Sequence, residues 1–311
     1  MVRATTDKAG HPAGPAAEQL AAGLPPLLVA AERVAATIVQ GVHGRRRVGG
    51  GETFWQYRRY QGGDGANAID WRQSAKSQKI FVRETEWEAA QSVWLWRDGS
   101  PSMDYRSGKG VERKVDRAEL LLLALASLLL RGGEHVGLYG RDGNATGGRA
   151  TLTRLGHYLT NGRGPYLRSG RGAGDEIGGL PATGQLPRFA QMALFGDFLS
   201  PLDEIEAMVK RFADQGAKGH LLQILDPAEE DLPFRGRTEF EGLEDEGRLV
   251  VGRVESLRDD YLRRMADRRQ GLFDIARRSG WGYSVHRTDR PPQIALLGLY
   301  QALSDGLEGR V

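Results

Sequence analysis

The sequence predicts an α/β fold: a mostly parallel central sheet with helices on both faces, preceded by an N-terminal helical and extended extension. Three observations carry this expectation. From about Ser92 onward, short apolar runs alternate with longer segments of helical periodicity. The most apolar stretch, LLLLALASLLL at Leu120–Leu130, is flanked by Arg117, Glu119 and Arg131 and is far shorter than the roughly 20 residues of a membrane span, so it reads as a buried helix. Hydrophobic content of 40% and charged content of 27% are those of a globular protein with a full core.

Residues 1–24, rich in Ala, Gly and Pro, are expected to form a disordered tail. An N-terminal extension is expected over 25–91 and the sheet domain over 92–311, with a glycine-rich insertion near 141–186. PPLLVAAERVAATIVQ opens on prolines suited to a first helical turn and places Leu28, Ala31, Val34 and Ile38 on one face. The polar, aromatic stretch after it predicts an extended connection, with a turn at Gly62–Gly65 and a strand around Ile80–Glu84. SVWLWRD then predicts a strand, VDRAELLLLALASLLLRGG a helix with Asp116 as its N-cap, and EHVGLYG a second strand. One helix is expected near Thr151–Thr160. RFAQMALFGD and GHLLQILDP predict strands around the amphipathic helix SPLDEIEAMVKRFADQG. A hairpin over 237–254 turning at Asp245-Glu246-Gly247, a charged helix near Leu257–Ser279, the strand GYSVHRT and the helix PQIALLGLYQALSDG complete the chain.

Several chemistries are disfavoured by composition. The chain of 311 residues has no cysteine, which removes disulfides, thiolate zinc sites and cysteine nucleophiles, and a cytoplasmic location is expected. No signal peptide is evident at the N-terminus. Its six histidines, His11, His43, His135, His157, His220 and His286, lack the spacing of a zinc hydrolase. There is no P-loop, dinucleotide fingerprint or G-x-S-x-G motif. The net charge of +3 is a narrow surplus and says little about nucleic acid.

The informative motif is VWLWRDGSPSMDY at Val93–Tyr105, where an apolar strand ends on Asp98 and hydroxyls follow at Ser100 and Ser102. Ligands of open α/β sheets bind beyond the carboxyl ends of the strands. A D-x-S-x-S loop there can direct three hard oxygens at one point, a donor set suited to Mg²⁺ or Mn²⁺. A second strand ends on Asp197, which reaches the same point if the two strands are neighbours. The alternative is turn chemistry alone, with Asp98 in an Asx-turn or helix cap.

DGSPSM after VWLW resembles the metal-ion-dependent adhesion site of von Willebrand factor A-like domains. The upstream block at Gly62–Ala75, GGD…IDWRQSA, is similar to the signature of the DUF58 family, bacterial proteins of unknown function built on that fold. The resemblance covers about Val42–Ala302. It implies a von Willebrand factor A-like core and a non-enzymatic, metal-dependent protein-protein interaction module. Asp98, Ser100, Ser102 and Asp197 would hold Mg²⁺ or Mn²⁺, and a carboxylate of a protein client would complete the shell. It further implies action with a MoxR-type AAA+ ATPase, a form without membrane span, and structural roles for Asp64, Asp70, Trp71 and Arg72. The adhesion-site threonine has no clear counterpart; Thr151, Thr153 and Thr160 are the candidates.

Two other functions remain to be separated from this one. Arg45, Arg46 and Arg47, with Trp55, Tyr57, Tyr60 and Trp71 interleaved, have the make-up of a nucleic-acid surface. The interspersed acidic residues and the absence of a standard module favour the other reading, in which these aromatics pack on the sheet, the arginines pair with Asp64, Asp70, Glu84 and Glu86, and no nucleic-acid partner is expected. A metal-dependent phosphohydrolase using Asp98 would need a cationic phosphate clamp, for which the sequence offers Arg97 or Lys114.

Overall fold

The computed structural model of the chain describes residues 26–41, 54–60, 69–76, 79–85, 91–161, 179–182, 184–187, 189–243 and 247–308. The tail at 1–24, the turn at Gly62–Gly65, Asp64, the run Arg45–Arg47 and the tip Asp245-Glu246 lie outside the described residues.

Helix α1 (Pro26–Gly41) comes first. Strands β1 (Phe54–Arg59) and β2 (Phe81–Thr85) follow as an antiparallel ribbon, where the sequence suggested extended chain around a single strand. Between them lies the one-turn helix α2 (Trp71–Ser74), which carries the signature IDWRQSA. Asp70 caps α2 by accepting from the Gln73 backbone N–H at 2.8 Å, and Ser74 Oγ accepts from the Phe81 N–H at 2.9 Å, joining the turn to β2. Asp70 is thus structural. Trp71 and Arg72 are exposed, and Trp71 at 66% corrects the expectation that this aromatic packs on the sheet.

The main sheet contains β3 (Ser92–Arg97), β4 (His135–Leu138), β5 (Gln191–Gly196), β6 (Lys218–Leu225) and β9 (Gly282–Arg287). All neighbours are parallel, in the order β4-β3-β5-β6-β9. The chain turns one way from β3 to β4 and the other way to β5, so a crevice opens at the carboxyl ends between β3 and β5. Both carboxylate-terminated strands flank that crevice.

The strand residues alternate between two apolar layers, as a pleated sheet requires. Val93, Leu95, Ala193, Phe195, Leu222 and Ile224 face one layer, formed with α1, α3 (Lys114–Arg131), α4 (Gly148–Asn161) and α8 (Pro292–Glu308). Trp94, Met192, Leu194 and Leu221 face the other, formed with α5 (Leu202–Asp214) and α7 (Arg258–Arg278). Helix α3 touches the sheet on one side and other helices around the rest, which is why its sequence is apolar nearly all round. Every residue from Lys114 to Leu129 except Asp116 is buried. Helix α5 instead buries only Ile205, Met208, Val209 and Phe212, a single stripe. Leu28, Ala31, Val34 and Ile38 of α1 lie in the first layer, so this helix is part of the sheet domain's core.

The start of α3 differs from expectation. Arg113, not Asp116, is the N-cap, and Asp116 lies in the first turn, accepting from Arg113 Nε at 2.8 Å and Nη2 at 3.0 Å. A carboxylate in the first turn is favoured by the helix dipole without capping it. A short helix α6 (Pro227–Asp231) follows β6, and the hairpin β7 (Thr238–Glu241) with β8 (Arg248–Val251) follows α6 as expected.

Two predictions concern this framework. Leu121 is fully buried in α3, and Leu121→Ala should cost about 2–5 kcal/mol in denaturant unfolding. Burial also pushes His220 and His286 down from 6.5 to about 4. Arg117 can only donate, so His286 Nε2 accepts from it, at 3.0 Å, as a neutral ring. A depressed histidine pKa means the unfolded chain takes the proton first. The stability that depends on these two neutral rings is therefore complete above about pH 6.5 and is lost as pH falls toward 4. His286→Gln keeps an acceptor for Arg117 and should reduce that decline in a pH series of urea midpoints; an unchanged decline would remove His286 as its source.

Candidate functional site

Asp98 directly follows β3, and its N–H donates to Phe195 O at 2.8 Å, extending the β3–β5 ladder by one residue. Its carboxylate closes the loop after it by accepting from the Ser100 N–H at 2.8 Å through Oδ1. This is the Asx-turn of the conservative interpretation, and it leaves the other oxygen uncommitted. Asp98 is fully buried, and Oδ2 has no hydrogen-bond partner. A buried carboxylate oxygen without a donor is costly. Burial, reinforced by the nearby Asp197 charge, pushes the Asp98 pKa up to about 6 against the opposing effects of the Ser100 hydrogen bonds and Arg97.

Asp197 follows β5 and is 1% exposed. Its Oδ2 accepts from Ser102 Oγ at 2.7 Å, and the Ser102 and Ser100 hydroxyls are 2.9 Å apart. Asp98, Ser100, Ser102 and Asp197, all chosen from sequence, thus converge at the switch point. The Ser102 proton goes to Asp197, so in the contact between the two hydroxyls Ser100 donates and Ser102 accepts. Gly196 makes the approach possible: a Cβ there would lie 2.9 Å from Asp98 Cβ and 3.1 Å from Oδ2. Gly179 closes the other side, its hypothetical Cβ 3.4 Å from the same oxygen.

The loop carrying Asp197 is held under constraint. Phe198 adopts φ 51° although it has a side chain, and it is completely buried. Arg268 of α7 donates through Nε to Phe198 O at 3.0 Å and through Nη2 to the Phe198 and Ser200 carbonyls, while Gln223 Nε2 donates to Asp197 O at 3.0 Å. These bonds fix the carbonyl side of the turn, so Asp197 points back at the serines.

Sequence alone misassigned or missed the groups behind the cluster. Lys114, considered as a phosphate clamp, is fully buried and donates to Asp197 Oδ2 at 2.9 Å and Glu229 Oε1 at 2.5 Å. Burial works against its charge, but Asp197 and Glu229 outweigh it and its pKa lies above the ordinary lysine value. Arg97, the other clamp candidate, is 3.6 Å from the buried Glu119. Both cations therefore already face carboxylates, which corrects their proposed role. Glu229 also returns its Oε2 to the Asp226 N–H at 2.8 Å in the capping box of α6, and its burial raises its pKa. Asp226 ends β6 and is the third strand-terminal carboxylate. It accepts from Ala228 N at 2.7 Å and Ser107 N at 2.8 Å, which ties the far end of the serine loop to α6. The D-P at Asp226-Pro227 was a visible sign of that cap. Thr151, Thr153 and Thr160 do not join the cluster: each hydroxyl bonds to a carbonyl four residues earlier in α4 or the turn before it.

Above the cluster lies a cavity of about 1020 Å³, floored by Ser102, Asp197 and Glu229 and walled by Leu199, Phe234 and Phe240. Among the described residues, its lining includes four carboxylates and no lysine or arginine. No group of three or more His, Asp or Glu that could hold a metal ion occurs among the described residues; the cluster here combines two carboxylates with two hydroxyls. No helix of the described residues is long and apolar enough to cross a membrane.

Comparison with known proteins agrees with the signature in the sequence. Uncharacterized protein Rv1480 of Mycobacterium tuberculosis is 26% identical over 280 residues, covering 88% of this chain and 86% of its own, and Mb1516 of Mycobacterium bovis matches equally. Among solved structures, the conserved hypothetical protein BatB from Bacteroides thetaiotaomicron aligns with 71% of this chain and 100% of its own, at TM-score 0.40 and 17% identity. An aerotolerance-related membrane protein from Bacteroides fragilis aligns with 70% of this chain and 100% of its own, at TM-score 0.39 and 15% identity. The family described as protein of unknown function DUF58 matches residues 56–271, and this chain belongs to it.

Proposed function

We propose that this chain is a non-enzymatic interaction module of von Willebrand factor A-like type that captures an acidic group of a partner protein through a divalent cation, Mg²⁺ or Mn²⁺. The observation that carries this is Asp98 Oδ2: a buried carboxylate oxygen without a donor, beside a second buried carboxylate and two hydroxyls. Asp98, Ser100, Ser102 and Asp197 would hold the ion, whose hard-oxygen preference suits them. Bound there, the ion supplies residual positive charge and an exchangeable position for a carboxylate. The chain's own residues supply the rest. Ser102 donates its proton to Asp197 and so holds that carboxylate against the serine loop, Arg268 fixes the turn, and Gly196 admits the close approach of Asp98.

The cavity supports dependence on a cation. Asp197, Glu229, Glu239 and Glu241 all line it while Lys114 and Arg248 stay outside the lining, so positive charge added at its floor would favour an acidic ligand. A MoxR-type AAA+ ATPase is the partner system that the family resemblance suggests, acting with this chain on a protein client. A phosphohydrolase is less well supported, because Lys114 and Arg97 already face carboxylates.

Calorimetric titration of the full chain with Mn²⁺ should show one site that is lost in Asp98→Ala while the circular dichroism spectrum is retained. Capture of a MoxR-type ATPase or its client should need Mg²⁺ and be abolished by EDTA and by Asp98→Ala. Capture indifferent to both treatments would rule this function out.

A further inference from the structure

The cluster contains a positive charge of its own. Lys114 Nζ is on the same Asp197 oxygen, Oδ2, that takes the Ser102 hydroxyl, and it is shared with Glu229 on the opposite side. Its side chain is completely buried and its ammonium contacts two carboxylates, so it cannot leave for solvent without stranding both. Lys114 is not among the residues lining the cavity, so an incoming ligand does not meet it directly. It does not reach the orphaned Asp98 Oδ2 either, which remains without a donor.

We infer that Lys114 is an affinity-setting residue: a tethered counter-cation that competes with the divalent ion for Asp197 and is passed to Glu229 when the ion binds. This rests on Asp98, Ser100, Ser102 and Asp197 being the ion site. Two positive centres on one carboxylate repel each other strongly where water is excluded. Glu229 lowers the cost of ion entry because it can keep the ammonium after Asp197 turns its charge to the ion. Glu229 belongs to the α6 capping box, and its carbonyl accepts from Tyr261 OH at 2.5 Å, so its position is fixed by backbone and by α7. The relay thereby links the ion site to the cavity wall, where Glu229 and Tyr261 both appear. The consequence is a weakened, readily reversible ion site, suited to a contact that must be made and broken.

The test is Mn²⁺ affinity of the full chain by calorimetry, with melting temperature in the presence and absence of Mn²⁺ as a second readout. Lys114→Met should bind Mn²⁺ at least about tenfold more tightly than the wild type and gain more in melting temperature. Glu229→Gln should bind several-fold more weakly, because the ammonium then rests on Asp197 alone. Asp98→Asn should lose binding in either background. A folded Lys114→Met with equal or weaker affinity overturns the role of Lys114 while leaving the ion site standing, provided Asp98→Asn still abolishes binding. If Lys114→Met does not fold, a Glu229→Gln protein binding as well as the wild type has the same consequence. Absence of Mn²⁺ binding in every variant, or binding untouched by Asp98→Asn, removes the ion site and this inference together.

Discussion

Two charges, the Lys114 ammonium and the Asp197 carboxylate, are withdrawn from water where α3, the turn after β5 and the cap of α6 meet, and the half-buried Glu229 carboxylate joins them from the cavity side. Neither buried charge would be tolerated there singly, because the penalty for burying an isolated ion is several kcal/mol. Together they require each other's geometry. Lys114 is the first residue of α3, the central helix of the first apolar layer, so the position of that helix is tied to two carboxyl ends of the sheet. The dominant hydrophobic contribution sets where α3 lies against the sheet; the charge triad then fixes its end and aligns the loops over the crevice.

The remainder of the cluster depends on that arrangement. Asp197, held by the lysine, accepts from Ser102; Ser102 meets Ser100; Ser100 closes its N–H on Asp98. The far end of the same loop is anchored when Ser107 donates to Asp226. Three strand ends therefore contribute a carboxylate each, but with different tasks. Asp98 and Asp197 face the switch-point crevice, whereas Asp226 organises backbone. The Asp98 oxygen left without a donor is the exception within this cluster, where every other carboxylate oxygen named here accepts a hydrogen bond.

The cavity above the cluster gives this arrangement a direction. Its aromatic and aliphatic wall comes from Leu199 after β5, Phe234 after α6 and Phe240 of β7, so an approaching partner meets apolar surface first and the oxygen cluster at the floor. The acidic groups at the rim are partly balanced from outside, since Arg248 lies 3.1 Å from Glu241 and 3.8 Å from Glu239, both largely exposed. Such exposed pairs contribute little to stability. The floor is different, because Asp197 there is buried and only weakly screened.

How much of this was legible in the chain follows from where each signal is encoded. The alternation of strand and helix, the apolar face of α1 and the stripe of α5 are local periodicities, and the structure reproduces them. Asp98 and Asp197 were legible as strand-terminal carboxylates at one crevice because a carboxylate ending an apolar strand is a local pattern. The two-stranded β1–β2 ribbon was not, since pairing is a property of two segments and only one had a clear strand pattern. The cap of α3 was misplaced by three residues because Arg113 lacks a capping side chain, so nothing in its identity announces the start.

The sequence by itself determined the strand and helix alternation of the sheet domain and the oxygen-bearing residues at its strand ends, because these depend on preferences within a few residues. Only the tertiary structure decided that Lys114 lies inside the cluster, that Glu229 shares it, and that Asp98 Oδ2 is left without a donor. Lys114 and Asp197 are separated by 83 residues, and Lys114 and Glu229 by 115. A lysine that opens a helix looks like any solvated charge until folding brings two distant carboxylates to it and excludes the water that would otherwise satisfy it.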